Sequence, residues 1–134
     1  MKINFFSDLN KDSGVLVFVC LKGKPLHKYL SNLNKKNKNY VHKAMKISGF
    51  DYKTNNYLDL IMPNGSKADR IIIIGTEFNK NNYQIKVGEL GGSITSIINK
   101  KKIKEFNLIL SSENFTVEEV ALLLYGLSLN TYRF

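Results

Sequence analysis

The sequence predicts a three-layer α/β domain, a mixed and mostly parallel sheet with helices on both faces. Three observations carry that reading. Ile71-Ile72-Ile73-Ile74, four β-branched residues between Asp69-Arg70 and Gly75-Thr76, is the pattern of a central strand buried on both sides. Val15-Leu16-Val17-Phe18-Val19-Cys20 is a second run without a polar residue, which suits the same setting. Amphipathic helical periods are interleaved with these runs along the chain, the alternation that builds layered α/β folds.

Taken in order, Ile3 to Phe6 and Val15 to Cys20 read as strands joined by a polar turn, Asp8 to Gly14. Pro25 then suits the first position of a helix. Leu26, Tyr29, Leu30 and Leu33 recur behind it at i, i+3, i+4 and i+7, one helical face. Asn34 to Asn39, a run of Lys and Asn, reads as a solvated loop. A short second helix turns Val41, Ala44, Met45 and Ser48 inward and ends at Gly49.

Asn56 to Met62 is a strand, followed by the turn residues Pro63-Asn64-Gly65-Ser66. After the isoleucine strand, Val87, Leu90, Gly91, Ile94, Ile97 and Ile98 share one helical face. Lys100-Lys101-Lys102 closes that helix, where positive charge complements the dipole. Phe106 to Leu110 is the last strand. Thr116 and Glu119 form a capping box that opens a final helix, with Val117, Val120, Ala121, Leu124 and Leu127 on one face. The order is β-β-α-α-β-β-α-β-α, and residues 1–134 read as a single domain with no repeat and no linker.

Composition narrows the class. A chain of 134 residues with 43% hydrophobic content can bury a substantial core and lies outside the disordered class. It holds no apolar run of eighteen residues and no signal-peptide pattern, so no membrane partner is expected. A lone Cys20 within an apolar strand reads as a small core residue rather than a nucleophile, which with the missing leader points to the cytoplasm. The net charge of +9 comes from 18 Lys and only 2 Arg, alongside 16 Asn. That bias resembles the codon usage of an AT-rich genome, so the charge names no partner, although it supports loose attraction to polyanions.

No constellation carries chemistry. His27 and His42 lack ligand-spaced partners, and Asp51, Asp59 and Asp69 are scattered, so neither a metal site nor an acid–base pair is expected. Gly-x-Ser-x-Gly and a phosphate-cradling Gly-x-x-x-x-Gly-Lys are both absent. The glycines of Gly88-Glu89-Leu90-Gly91-Gly92 read either as a nucleotide-approaching loop or as small residues that let the helix pack close on the sheet. The apolar period running through Gly91 favours packing. Among basic runs, Lys35-Lys36-Asn37-Lys38 and Lys100, Lys101, Lys102 and Lys104 are the candidate phosphate contacts. Nearly pure Lys favours a solvated surface, and any nucleic-acid binding is expected to be weak.

The order of elements and three phrases resemble the N-terminal domain of the leucyl aminopeptidase (cytosol aminopeptidase) family. Ala68-Asp69-Arg70-Ile71-Ile72-Ile73-Ile74-Gly75-Thr76 is similar to the family's hydrophobic strand led by a basic residue and ending in Gly. Gly88-Glu89-Leu90-Gly91-Gly92-Ser93-Ile94 is similar to the helix that follows. Gly126-Leu127-Ser128-Leu129-Asn130-Thr131-Tyr132-Arg133-Phe134 resembles the helix that closes this domain on a Tyr-Arg-Phe phrase.

The resemblance implies a macro-domain-like fold with no catalytic, metal or cofactor residue in this chain. It also implies a parent enzyme whose catalytic domain, on the same polypeptide and absent here, holds two divalent metals, zinc or manganese, and removes N-terminal residues. That parent would be a hexamer in which this domain assists assembly or substrate access. The Asn-Thr-Asp-Ala-Glu-Gly-Arg phrase of the catalytic domain is missing, so no catalytic residue carries over. An aromatic end at Phe134 reads as a cut at a domain boundary. By itself the chain is expected to be monomeric, or to associate weakly through Leu127, Leu129 and Phe134. The alternative reading is a nucleic-acid or ADP-ribose binding module.

Overall fold

A computed structural model of the chain describes residues 2–6, 13–52, 56–111 and 114–131. Among the described residues nine elements follow in the expected order: β1 (Lys2–Phe6), β2 (Gly14–Leu21), α1 (Lys28–Lys36), α2 (Tyr40–Ile47), β3 (Tyr57–Ile61), β4 (Ala68–Thr76), α3 (Tyr83–Lys100), β5 (Glu105–Ile109) and α4 (Val117–Thr131). Most of the anticipated turn from Asp8 to Gly14, and the closing Tyr132-Arg133-Phe134, lie outside the described residues.

The strands form one five-stranded sheet in the order β1-β5-β2-β4-β3. β1, β5, β2 and β4 run parallel, and β3 lies antiparallel to β4 at one edge. Loop length dictates this split. Residues 62–67 are too few for a crossover and can only close a hairpin between β3 and β4. The chain between β4 and β5 contains all of α3, so it can pass β2 and deliver β5 to the other side.

β2 and β4 build the core between them. Leu16, Val17, Phe18 and Val19 stand opposite Ile71, Ile72, Ile73 and Ile74 in register. Side chains alternate across a strand, so the pairing sends apolar groups to both faces. Val17, Val19, Ile72 and Ile74 meet Leu90, Ile94, Ile98 and Leu127 of α3 and α4. Leu16, Phe18, Ile71 and Ile73 meet Leu30, Leu33 and Val41 of α1 and α2. All four isoleucines are at most 1% exposed, so β4 is an interior strand despite its single parallel neighbour.

Local chemistry moves several boundaries. α1 starts at Lys28 rather than at Pro25, because Nδ1 of His27 accepts the Tyr29 backbone N–H at 3.1 Å and caps the helix there. α2 buries Val41 and half-buries Ala44 and Met45, but leaves Ser48 exposed. Gly49 ends it as anticipated, at φ +68°. The Thr116–Glu119 capping box is present in both directions. The Thr116 N–H donates to Glu119 Oε1 at 2.8 Å, and the Glu119 N–H donates to Thr116 Oγ1 at 3.1 Å.

α4 departs most from its sequence pattern. Val117 is 86% exposed and Ala121 is exposed, whereas Leu123 and Leu127 are buried. This helix is apolar on several sides, so its periodicity leaves the inward face ambiguous. The neighbour decides it: Gly91 of α3 lies against the backbone of Gly126 and Leu127, where a Cβ would sit 3.4 Å from Gly126 C and Leu127 N. The glycine thus admits helix to helix rather than helix to sheet. The same contact buries Leu127, which the sequence had suggested as part of a sticky end; the side chains of Leu129 and Phe134 lie outside the described residues.

Substitutions in α3 separate these roles. A Cβ at Gly88 meets nothing within 4 Å, so Gly88→Ala should stabilise by about 0.5–1 kcal/mol through helix propensity alone. Gly91→Leu must push α4 away and should destabilise by about 1–3 kcal/mol. Urea midpoints of the two variants, read with unchanged m-values, check both signs.

Candidate functional site

Among the described residues, the structure disperses the side chains able to bind metal or transfer protons, and gives several of them a local task. His27 caps α1 and sets its ring 5.3 Å from that of Phe18. His42, on α2, receives a hydrogen bond at Nδ1 from the Asn34 side-chain amide at 2.8 Å, and its own backbone N–H donates to Asn34 Oδ1 at 3.1 Å. Asn34 is therefore a buried bracket between α1 and α2, not part of a solvated loop. Its Lys- and Asn-rich surroundings concealed that role.

Asp51 and Asp69 are exposed, and Asp59 is taken up by cations. Among the described residues no three His, Cys, Asp or Glu side chains converge. A dinuclear metal site needs several convergent ligands, so these residues do not fit one.

Asp59, on edge strand β3, is a carboxylate shared between two ion pairs. Oδ2 lies 2.8 Å from Lys101 Nζ, at the C-terminal end of α3, and Oδ1 lies 3.1 Å from Arg70 Nε on β4. The Arg70 contact is ionic and poorly aligned, since Oδ1 makes no hydrogen bond. Lys101 Nζ also sits 5.3 Å from the centroid of the Tyr57 ring. Lys101, one of four candidate phosphate contacts, is thereby committed to the fold. Lys100, Lys102 and Lys104 remain exposed.

The sheet also offers a crevice. Open α/β sheets bind ligands at the carboxyl ends of strands where neighbouring connections leave toward opposite faces. Here β2 leads to α1 on one face, while β4 and β5 lead to α3 and α4 on the other. A cavity of about 320 Å³ lies at that point, between the segments after β2, β4 and β5. Leu21, Phe78 and Tyr83 supply its apolar wall, with Phe115 behind Phe78 at 6.1 Å between ring centroids. Lys24, Lys80, Glu118 and Glu119 stand around it.

The backbone beside this crevice is not a phosphate loop. Gly75 is occupied by close packing, since a Cβ there would meet Phe50 Cζ at 2.7 Å and Asp51 O at 2.8 Å. Glu77 follows and pairs with Lys22 at 3.6 Å.

With this architecture in view, residues 15–134 match the cytosol aminopeptidase family, N-terminal domain. The chain belongs to that family. No individual curated protein gives a significant match. The match spans β2 through α4 and leaves out only β1 and the segment after it. Two of the family-like phrases now have places in the fold. Ala68 to Thr76 is β4, and Gly88 to Ile94 is the part of α3 that meets α4. No helix among the described residues is long and apolar enough to cross a membrane.

Cys20 lies on β2 and is 5% exposed, and burial pushes its thiol from an ordinary 9.0 up to about 12. A thiol that stays protonated is a poor nucleophile and a poor metal ligand. Between pH 9.0 and about 12 the unfolded chain releases a proton that the folded chain keeps. Unfolding is then favoured as pH rises, by up to about 1.4 kcal/mol per pH unit. Below that window the thiol contributes no pH dependence. Denaturation of the protein and of Cys20→Ala across alkaline pH should show a flatter decline in the variant.

Removing the shared carboxylate should be costly as well. Asp59→Ala leaves Arg70 and Lys101, each less than a quarter exposed, as uncompensated neighbours. The expected loss is about 1–3 kcal/mol. Adding Lys101→Ala should recover part of it, and a double-mutant cycle in urea gives the coupling.

Proposed function

We propose that this chain acts as the non-catalytic N-terminal domain of a cytosolic leucyl aminopeptidase and assists assembly of the enzyme or access of substrate to it. On this reading a catalytic domain of the same polypeptide holds the two divalent metals and removes N-terminal residues. The family match over residues 15–134 carries the proposal. The commitments of His27, His42, Asp59 and Cys20 support it, because the groups best suited to metal or proton chemistry are held in caps, brackets, ion pairs or the core. Assembly fits the two edges of the sheet, where, among the described residues, β1 and β3 each pair with one strand.

The direct test is hydrolysis of leucine-p-nitroanilide. The purified chain should show none above the buffer rate, with or without zinc or manganese. A polypeptide that joins it to its catalytic domain should turn the substrate over in a metal-dependent way. Metal-dependent turnover by the chain alone, surviving repurification, would overturn the reading.

A further inference from the structure

The crevice at the ends of β2, β4 and β5 carries charges that the fold does not consume. Among the described residues, Lys24, Lys80 and Glu118 enter no ion pair. Glu119, by contrast, spends one carboxylate oxygen on the Thr116 N–H. Both signs thus surround one cavity of about 320 Å³ whose wall includes Phe78 and Tyr83.

That combination selects among ligands by elementary electrostatics. A polyphosphate meets the Glu118 and Glu119 carboxylates, and a polyamine meets the Lys24 and Lys80 ammonium groups. A molecule with one ammonium, one carboxylate and an apolar body can satisfy both signs and cover the aromatic wall. Its size also fits: pockets of about 300 Å³ are at the small end for organic ligands. Strand ends at a point where connections diverge are the usual place for such a site.

We propose that this crevice binds a small zwitterion of the amino-acid or short-peptide class, the ammonium toward Glu118 and the carboxylate toward Lys24 and Lys80. This deepens the function proposed above, since such molecules are what an aminopeptidase consumes and releases. The site itself rests on the geometry of this chain, so its binding is measured independently of hydrolysis.

The experiment is an amide-shift NMR titration of the purified chain with five probes: leucine, leucylglycine, leucinamide, N-acetylleucine and N-acetylleucinamide. Leucine or leucylglycine should give saturable shifts at residues 21–24, 78–83 and 114–119. The tighter of the two identifies the ligand as released product or as peptide. Leucinamide and N-acetylleucine, each lacking one charge, should bind about threefold to fivefold more weakly, as exposed ionic contacts allow. N-acetylleucinamide should bind weakest.

Glu118→Gln should weaken leucine binding by a similar factor and leave N-acetylleucine unaffected. Lys24→Gln should weaken leucine binding while sparing leucinamide. Both side chains are exposed, so neither change threatens folding. The absence of saturable shifts at these residues, or equal binding of N-acetylleucinamide, would overturn the site while leaving the family-based function standing.

Discussion

The parallel pairing of β2 with β4 is the constraint from which the rest of the molecule follows. Each strand is apolar on both sides, so the pair cannot stand at a surface. Once Leu16 to Val19 align with Ile71 to Ile74, two apolar faces exist and each must be covered. α1 and α2 cover one and α3 and α4 the other, which makes the three layers a consequence of one ladder. Gly75 shows how tightly that ladder is enclosed, since the backbone at Asp51 leaves no room for a methyl group above it.

The two helical layers are joined by different means. α3 and α4 meet over a glycine, where backbone approaches backbone and buried leucines fill the remaining space. α1 and α2 meet through Asn34, whose side chain both donates to and accepts from His42. The edge strand β3 is held from outside the core as well, by Asp59 reaching Lys101 at the end of α3. An ion pair there acts at partial burial, where water screens it less than at the open surface.

The polar groups of the described residues are used sparingly and locally. His27 caps α1, His42 is bracketed by Asn34, and the Cys20 thiol is buried in the core. Among the described residues, the crevice at the ends of three strands has Lys24, Lys80 and Glu118 around it outside any ion pair. The family match over residues 15–134 identifies the chain as the N-terminal domain of the cytosol aminopeptidase family.

The element order, the two buried strands, the apolar face of α3 and the capping box of α4 were all legible in the sequence, because each is a local pattern set by one period or one pair of side chains. The family was legible for the same reason, since its phrases coincide with β4 and the helix behind it. Tertiary structure alone decided which face of α4 turns inward, because several of its faces are apolar and its neighbours, Gly91 and the apolar cluster around Leu90 and Ile94, select one. It also decided that Asn34 is buried and that Lys101 belongs to Asp59, since neither partner lies within a helical turn in sequence. The crevice was invisible for a related reason. Its walls come from segments after β2, β4 and β5, and only the sheet order brings those strand ends together.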